Sequence, residues 1–263
     1  MGLLDGQVAV ITAGTRSIGK GVARAFIIEG ASVVVNGRSE EKGRAAVAEL
    51  AALGAGDRVH FIRGDVLVQS QVDDLIEGTV KHFGRLDIAV LNAGGLREPA
   101  AVASMTDQEW DFVIRFNLSS PFWAMRAALR HMLPQGSGRI ITMSSLEGKR
   151  GTPGIPAYVA AKHGLIGLTK GCAHEVGQSG VTVNAICPGL VITDEYYATM
   201  DATSAALGLD DPNDLAAHLV KDSAIQRPVT VEEVAAAAVY LASSAGAGVT
   251  GTTLNVDGGS SPY

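Results

Sequence analysis

A serine pair, Ser144-Ser145, is followed by Tyr158-Val159-Ala160-Ala161-Lys162, and these residues are well suited to moving a proton. Tyr158 and Lys162 stand at i and i+4, so on a helix both side chains leave the same face. A phenol ionises near pH 10 in water, and bringing it toward 7 requires about 4 kcal/mol of preferential stabilisation of the phenolate. One ammonium about 4 Å away contributes roughly that much at an effective dielectric of about 20. The pair is energetically capable of acid/base work, although Tyr and Lys at this spacing also occur on ordinary helices.

A second group of residues is suited to binding. Thr12-Ala13-Gly14-Thr15-Arg16-Ser17-Ile18-Gly19 joins an apolar run to a segment of helical period. Such a turn aims backbone N–H groups and a helix N-terminus at a pyrophosphate, though glycine turns join strands to helices in many proteins. At the end of the second apolar run, where a carboxylate would accept hydrogen bonds from an adenosine ribose, the chain has Asn36-Gly37-Arg38. Arg16 and Arg38 converging there would suit a 2′-phosphate, so NADP(H) is expected ahead of NAD(H). Both arginines could instead be surface charges, with Glu40 or Glu41 reaching the ribose.

The elements that must position these groups alternate along the chain. Apolar, β-branched runs are read as strands over Val8 to Thr12, Ser32 to Asn36, Val59 to Gly64, Asp87 to Asn92, Gly138 to Met143, Val181 to Cys187 and Thr253 to Val256. Segments of 3.6-residue period are read as helices over Ile18 to Glu29, Glu40 to Leu53, Gln69 to Phe83, Asp107 to Leu133, Ala157 to Gln178 and Val231 to Ser243. Gly30 is expected to stop the first helix, and Ser39 and Thr230 to begin the second and the last. The pattern predicts an α/β fold: one doubly wound, parallel, seven-stranded sheet with helices on both faces. A single domain over residues 1–263 is expected, with the weakly patterned stretch 194–228 as a lid within it.

Composition narrows the function classes. With 263 residues, 47% hydrophobic and 18% charged, the chain can bury a sizeable core. A formal net charge of −6 gives no broad positive field, so nucleic acid is not an expected partner. Cys172 and Cys187 are far apart and read as reduced, buried thiols. The six histidines have no metal-ligand spacing, so no metal is expected. Met1 to Ala9 has no basic flank or long apolar run, and no stretch approaches a membrane span; a cytoplasmic location is expected.

Further marks follow in order. Asn92-Ala93-Gly94 ends the fourth strand, Asn117 lies on the long fourth helix, Ser145 precedes Tyr158 by 13 residues, and Lys162 completes Tyr-x-x-x-Lys. Pro188-Gly189 follows the sixth strand and Asp257-Gly258-Gly259 the seventh. In this order and spacing the chain resembles the short-chain dehydrogenases/reductases over nearly its whole length. The resemblance implies a Rossmann-like fold and an enzyme that moves hydride between NADP(H) and a carbonyl or secondary alcohol. Tyr158 would exchange the proton, Ser145 would hydrogen-bond the substrate oxygen, and Asn117 would anchor a water. Lys162 would hold the nicotinamide ribose and lower the Tyr158 pKa.

The resemblance also implies cofactor contacts at Gly14, Arg16, Ser17, Ile18, Gly19, Arg38, Asp65, Val66, Asn92, Ala93, Gly94, Pro188, Gly189, Ile192 and Thr193. Asn92 could instead stabilise the sheet, Asp65 cap a turn, and Thr193 begin the lid. The family's glycine turn has glycine where this chain has Ala13 and Ser17; Gly14 is expected to absorb the turn and the Ser17 hydroxyl to face a phosphate. A nucleotide-binding regulatory or scaffold protein with little turnover is the alternative, and a sugar epimerase or dehydratase ranks last. Leu96, Leu146, Tyr196, Tyr197 and Met200 are candidates for an apolar substrate pocket. Asp194, Glu195 and Asp201 read as solvated loop charges. Family members commonly form tetramers through the fourth and fifth helices, so a homotetramer is expected, with Phe116, Phe122, Trp123, Leu165, Leu168 and Cys172 as contact candidates.

Overall fold

Seven strands form one parallel sheet: β1 (Val8–Ile11), β2 (Ser32–Gly37), β3 (Val59–Arg63), β4 (Ile88–Leu91), β5 (Gly138–Met143), β6 (Val181–Pro188) and β7 (Thr253–Val256). Their spatial order is β3-β2-β1-β4-β5-β6-β7. The computed structural model describes residues 2–206 and 208–261. Its helices are α1 (Ser17–Ile28), α2 (Glu40–Leu50), α3 (Gln69–Phe83), α4 (Asp107–Ile114), α5 (Ser120–Gln135), α6 (Pro156–Val176), α7 (Asp194–Ala206), α8 (Leu215–Val220) and α9 (Val231–Ala242).

The continuous apolar strands are explained by burial on both faces. Along β2, Val33 and Val35 enter a core with Val22, Phe26 and Leu241, whereas Val34 points into the opposite core with Leu75, Ile76 and Met132. Helices α1, α2 and α9 cover the first face, and α3, α5 and α6 the second. The order reverses between β1 and β4, so the chain leaves this point in opposite directions and opens a crevice at the strands' C-terminal ends. The turn after β1, the Asn92-Ala93-Gly94 segment and Ser144-Ser145 all lie on that edge.

The caps form as expected. Gly30 turns the chain at φ 95°, Ser39 accepts from the Lys42 N–H, and Thr230 makes a reciprocal capping box with Glu233. Two differences bear on the site. The helix expected from Asp107 to Leu133 is interrupted by a π turn over Arg115–Ser119, with Asn117 at its middle. The stretch read as an unpatterned lid contains α7 and α8. Thr193 begins α7, its hydroxyl accepting from the Tyr196 N–H at 3.4 Å, and Asp194 and Glu195 stand in the first turn. Among the described residues no helix is long and apolar enough to cross a membrane.

Candidate active site

Helix α6 begins with Pro156 at its first position and carries Tyr158 and Lys162 one turn apart, facing the end of β5. Lys162 is 3% exposed; its ammonium donates to the Met143 carbonyl at 2.9 Å and lies 5.4 Å from the centre of the Tyr158 ring. Ser145 is extended and accepts from the Glu147 N–H at 3.1 Å, and its hydroxyl stands near the Tyr158 phenol. Ser144 points the other way, to the Lys162 carbonyl at 3.2 Å, and so fastens β5 to α6.

Burial pushes the Tyr158 phenol up to about 12; the Ser145 hydroxyl opposes this and the charge of Glu147 adds to it. Desolvation is the largest cause and sets the direction of the shift in the folded chain. Burial also brings Lys162 down to about 8. Tyr158 is held as a neutral phenol at neutral pH.

Asn117 is fully buried, and its side chain is occupied. Its carbonyl accepts from the Gly95 N–H, while its amide donates to the Gly95 and Val113 carbonyls, each at 2.9 Å. The side chain thus clamps the segment after β4. The π turn around it interrupts the regular helical ladder, a feature frequent at functional sites. Gly94 fits between: a Cβ there would lie 2.8 Å from Asn117 Oδ1 and 3.0 Å from Lys162 Nζ.

Across the crevice, Thr12 Oγ1 accepts from the N–H groups of Asn92 and Ala93 at 2.9 and 3.0 Å, and the Asn92 amide donates to the carbonyls of Thr12 and Ala13. Asn92 therefore stabilises the seam of the sheet while lining the cleft. The left-handed residues of the turn are Ala13 at φ 50° and Ser17 at φ 48°. Gly14 does not absorb the turn, contrary to expectation; it is needed for close packing, since a Cβ would meet the Ile11 carbonyl at 2.9 Å and Val35 at 3.0 Å. The Ser17 hydroxyl donates to Glu195 Oε2 at 2.5 Å, and Arg16 pairs with Glu195 Oε1 at 2.9 Å. Glu195 is no solvated loop charge.

The turn fits a dinucleotide. Arg16, at the N-cap of α1, makes no side-chain capping bond, and the first turn, with Ile18 and Gly19, has no acid, so helix α1 supplies no acceptor of its own there. Gly19 lies against the Ala13 carbonyl oxygen, and a Cβ would come within 2.7 Å of the Asn92 amide. Arg38, 75% exposed, is 4.0 Å from Asp65, which also caps the following turn by accepting from the Leu67 N–H at 3.0 Å. Arg16 and Arg38 are thus engaged by different carboxylates, and sharing one phosphate requires Arg16 to change partner. Val66 is buried beneath this corner. Pro188 and Gly189 close the end of β6, where Gly189 packs on Asp257; Ile192 and Thr193 lead into α7.

A cavity of about 160 Å³ adjoins Ser145, lined by Leu146, Glu147, Arg150, Leu190 and Arg227. Of the five expected pocket residues Leu146 alone lines it; Leu96 and Tyr197 are exposed. Glu147 pairs with Arg150 and accepts from Thr152, a role no spacing in the sequence announced. A larger groove of about 420 Å³ between α1 and α9 has none of the catalytic candidates in its lining.

Residues 12–261 match the protein family described as enoyl-(acyl carrier protein) reductase. The chain is 37% identical over 257 residues to D-beta-hydroxybutyrate dehydrogenase of Cupriavidus necator, covering 98% of each protein. It is also 37% identical to the 3-oxoacyl-(acyl-carrier-protein) reductase FabG of Chlamydia muridarum, again over 98% of each. Among solved structures, a variant of actinorhodin polyketide ketoreductase with NADPH matches with a TM-score of 0.93 and 33% identity over 100% of both chains.

The tight packing of the turn is testable without any ligand. Gly19→Ala forces a methyl against a backbone carbonyl and should cost about 2 kcal/mol in urea unfolding. Gly151→Ala, where a Cβ meets nothing within 4 Å, should stay within about 0.5 kcal/mol of the parent. Equal midpoints for the two variants would contradict this packing.

Proposed function

The chain belongs to the short-chain dehydrogenases/reductases, a family of oxidoreductases, and on that premise we propose that it reduces a carbonyl, or oxidises the corresponding secondary alcohol, with NADP(H). The observation that carries the reading is the convergence of Ser145, Tyr158 and Lys162 at the end of β5, beside the crevice formed by the turn after β1. A nicotinamide dinucleotide would supply or accept the hydride. The N–H groups of the α1 first turn would hold its pyrophosphate, Lys162 its ribose hydroxyls, and Arg38 its 2′-phosphate.

The chain's own groups handle charge at the substrate oxygen. Reduction turns a carbonyl oxygen into a developing alkoxide, which the Ser145 and Tyr158 hydroxyls stabilise by hydrogen bonding before the Tyr158 proton is given up. A phenol held near 12 is a suitable acid for an alkoxide. Lys162, inside the same buried pocket, favours the phenolate left behind, and in oxidation that phenolate takes the proton back. Asn117 holds the Gly94-Gly95 segment against Lys162 and so keeps the ammonium in register with Tyr158.

The preference for NADP(H) rests on Arg38, the absence of an acid at the end of β2, and the NADPH carried by the actinorhodin relative. The substrate is a small molecule with a carbonyl or secondary hydroxyl. We also propose a homotetramer built on the expected fourth and fifth helices, here α4 with α5 and α6; Trp110 on α4 and Phe122 on α5 are each 41% exposed. Of the expected contacts, Leu165 and Cys172 are core residues, and Phe116, Trp123 and Leu168 pack against the core.

Following NADPH oxidation against a panel of ketones and 3-oxoacyl thioesters tests the reading. Tyr158→Phe should lower turnover at least a hundredfold, within the usual range for general acid catalysis, and leave NADPH binding intact. Near-parental turnover would remove Tyr158 from the mechanism. Arg38→Ala should weaken NADPH about tenfold and NADH little, a charge-assisted contact of about 1.4 kcal/mol. Equal losses for the two nucleotides would argue against a 2′-phosphate partner.

A further inference from the structure

We infer that Glu195 is a specificity-determining residue of the nucleotide site: its carboxylate occupies Arg16 and the Ser17 hydroxyl, and an incoming dinucleotide must displace it. This rests on the dinucleotide reading above. The two oxygens are divided between two partners, Oε1 on the Arg16 guanidinium at 2.9 Å and Oε2 on the Ser17 hydroxyl at 2.5 Å. Both partners belong to the turn that enters α1, while Glu195 comes from α7, 178 residues away in the chain.

The contact depends on the unusual composition of the turn. A glycine at position 17 would offer no hydroxyl; the serine there accepts a left-handed conformation and directs its Oγ to the acid. Helix α1 has no acid in its own first turn and no side-chain cap, so Glu195 is the negative charge supplied to its positive end. Burial raises the affinity of this carboxyl for its proton, but the Ser17 hydrogen bond, its own backbone N–H, Arg16 and Thr193 together outweigh burial and hold it below the usual carboxylate range. It is an anion firmly seated where a pyrophosphate is expected to bind.

The Ser17 hydroxyl has one proton, so it cannot donate to Glu195 and a phosphate oxygen together. Two anions at one helix end also repel each other. Arg16 reaches a 2′-phosphate only after leaving Glu195, whereas Arg38 is held loosely at 4.0 Å from Asp65. Glu195 therefore weakens binding of both nucleotides, and it weakens NADPH more, because NADPH would use the released arginine as well as the released hydroxyl.

The test compares the full-length parent, Glu195→Ala and Ser17→Gly, with dissociation constants for NADPH, NADH and inorganic pyrophosphate measured by fluorescence titration and calorimetry. Glu195→Ala should tighten NADPH about three- to tenfold, tighten pyrophosphate in the same direction, and widen the NADPH-to-NADH ratio. In a Ser17→Gly background the same substitution should have a smaller effect, since one of its two contacts is already gone. Unchanged or weaker NADPH binding by Glu195→Ala would overturn the inference, showing that the carboxylate does not compete with the nucleotide. If parent and variants alike bind neither NADPH nor NADH, the dinucleotide reading fails and this inference with it.

Discussion

The site depends on the seam between β1 and β4. At the order reversal the chain leaves β1 and β4 in opposite directions, and just past the last paired residues the Thr12 N–H donates to the Val90 carbonyl at 3.1 Å. Thr12 and Asn92 continue the joint with side chains: one hydroxyl accepts two backbone N–H groups, and one amide donates to two backbone carbonyls. These bonds satisfy backbone groups that would otherwise be left unpaired in a partly buried crevice. They also fix the turn after β1 and the segment after β4 as one unit. Through Gly94 and Asn117 that unit extends to Lys162, so the turn after β1 and the Ser145, Tyr158 and Lys162 group share a frame.

Electrostatics within this frame follow from burial. Desolvation moves the phenol of Tyr158 up and the ammonium of Lys162 down, each toward its neutral form. A neutral phenol thus stands beside a lysine that still carries charge near pH 7. In the proposed reduction, protonating a substrate alkoxide would leave a phenolate, and the buried ammonium would then have its strongest partner. The attraction matters more in the state after transfer than before it, which is the condition for lowering a barrier. Glu147, paired with Arg150 and Thr152, adds negative charge that also favours the neutral phenol.

Much of this was legible in the sequence, and the parts that were share a physical cause. Strands buried on both faces must be apolar throughout, so Val33-Val34-Val35 and its counterparts identified the sheet; the expected spans of β5 and β7 coincide with the observed ones, and those of β1, β2, β3 and β6 begin at the observed residue and end within one residue of it. Gly30, Ser39 and Thr230 marked helix ends because capping is local chemistry. The π turn at Asn117 was not legible, since it arises from packing of α4 and α5 around the Gly95 backbone and leaves the hydrophobic period nearly unchanged. Helix α7 is weakly amphipathic, so periodicity failed there, although Thr193 followed by Asp194 and Glu195 carried a readable N-terminal signal. The pairing of Glu195 with Arg16 joins residues too distant in the chain for any local rule.

The same distance explains how the turn tolerates its unusual residues. Ala13 and Ser17 stand at left-handed φ, a conformation that costs an L-residue about 1–2 kcal/mol. Strain of this kind persists only where surrounding bonds over-determine the backbone. At Ala13 the carbonyl is held by the Asn92 amide, and the next residue, Gly14, donates its N–H to the Asn36 carbonyl at 2.9 Å. At Ser17 the restraint comes from a side chain, the hydroxyl bound to Glu195. The first restraint belongs to the sheet; the second comes from α7. On the inference above, a ligand anion taking over the Ser17 hydroxyl would relieve the turn of its tie to α7 without unfolding it, because the sheet-side restraint is independent of that bond.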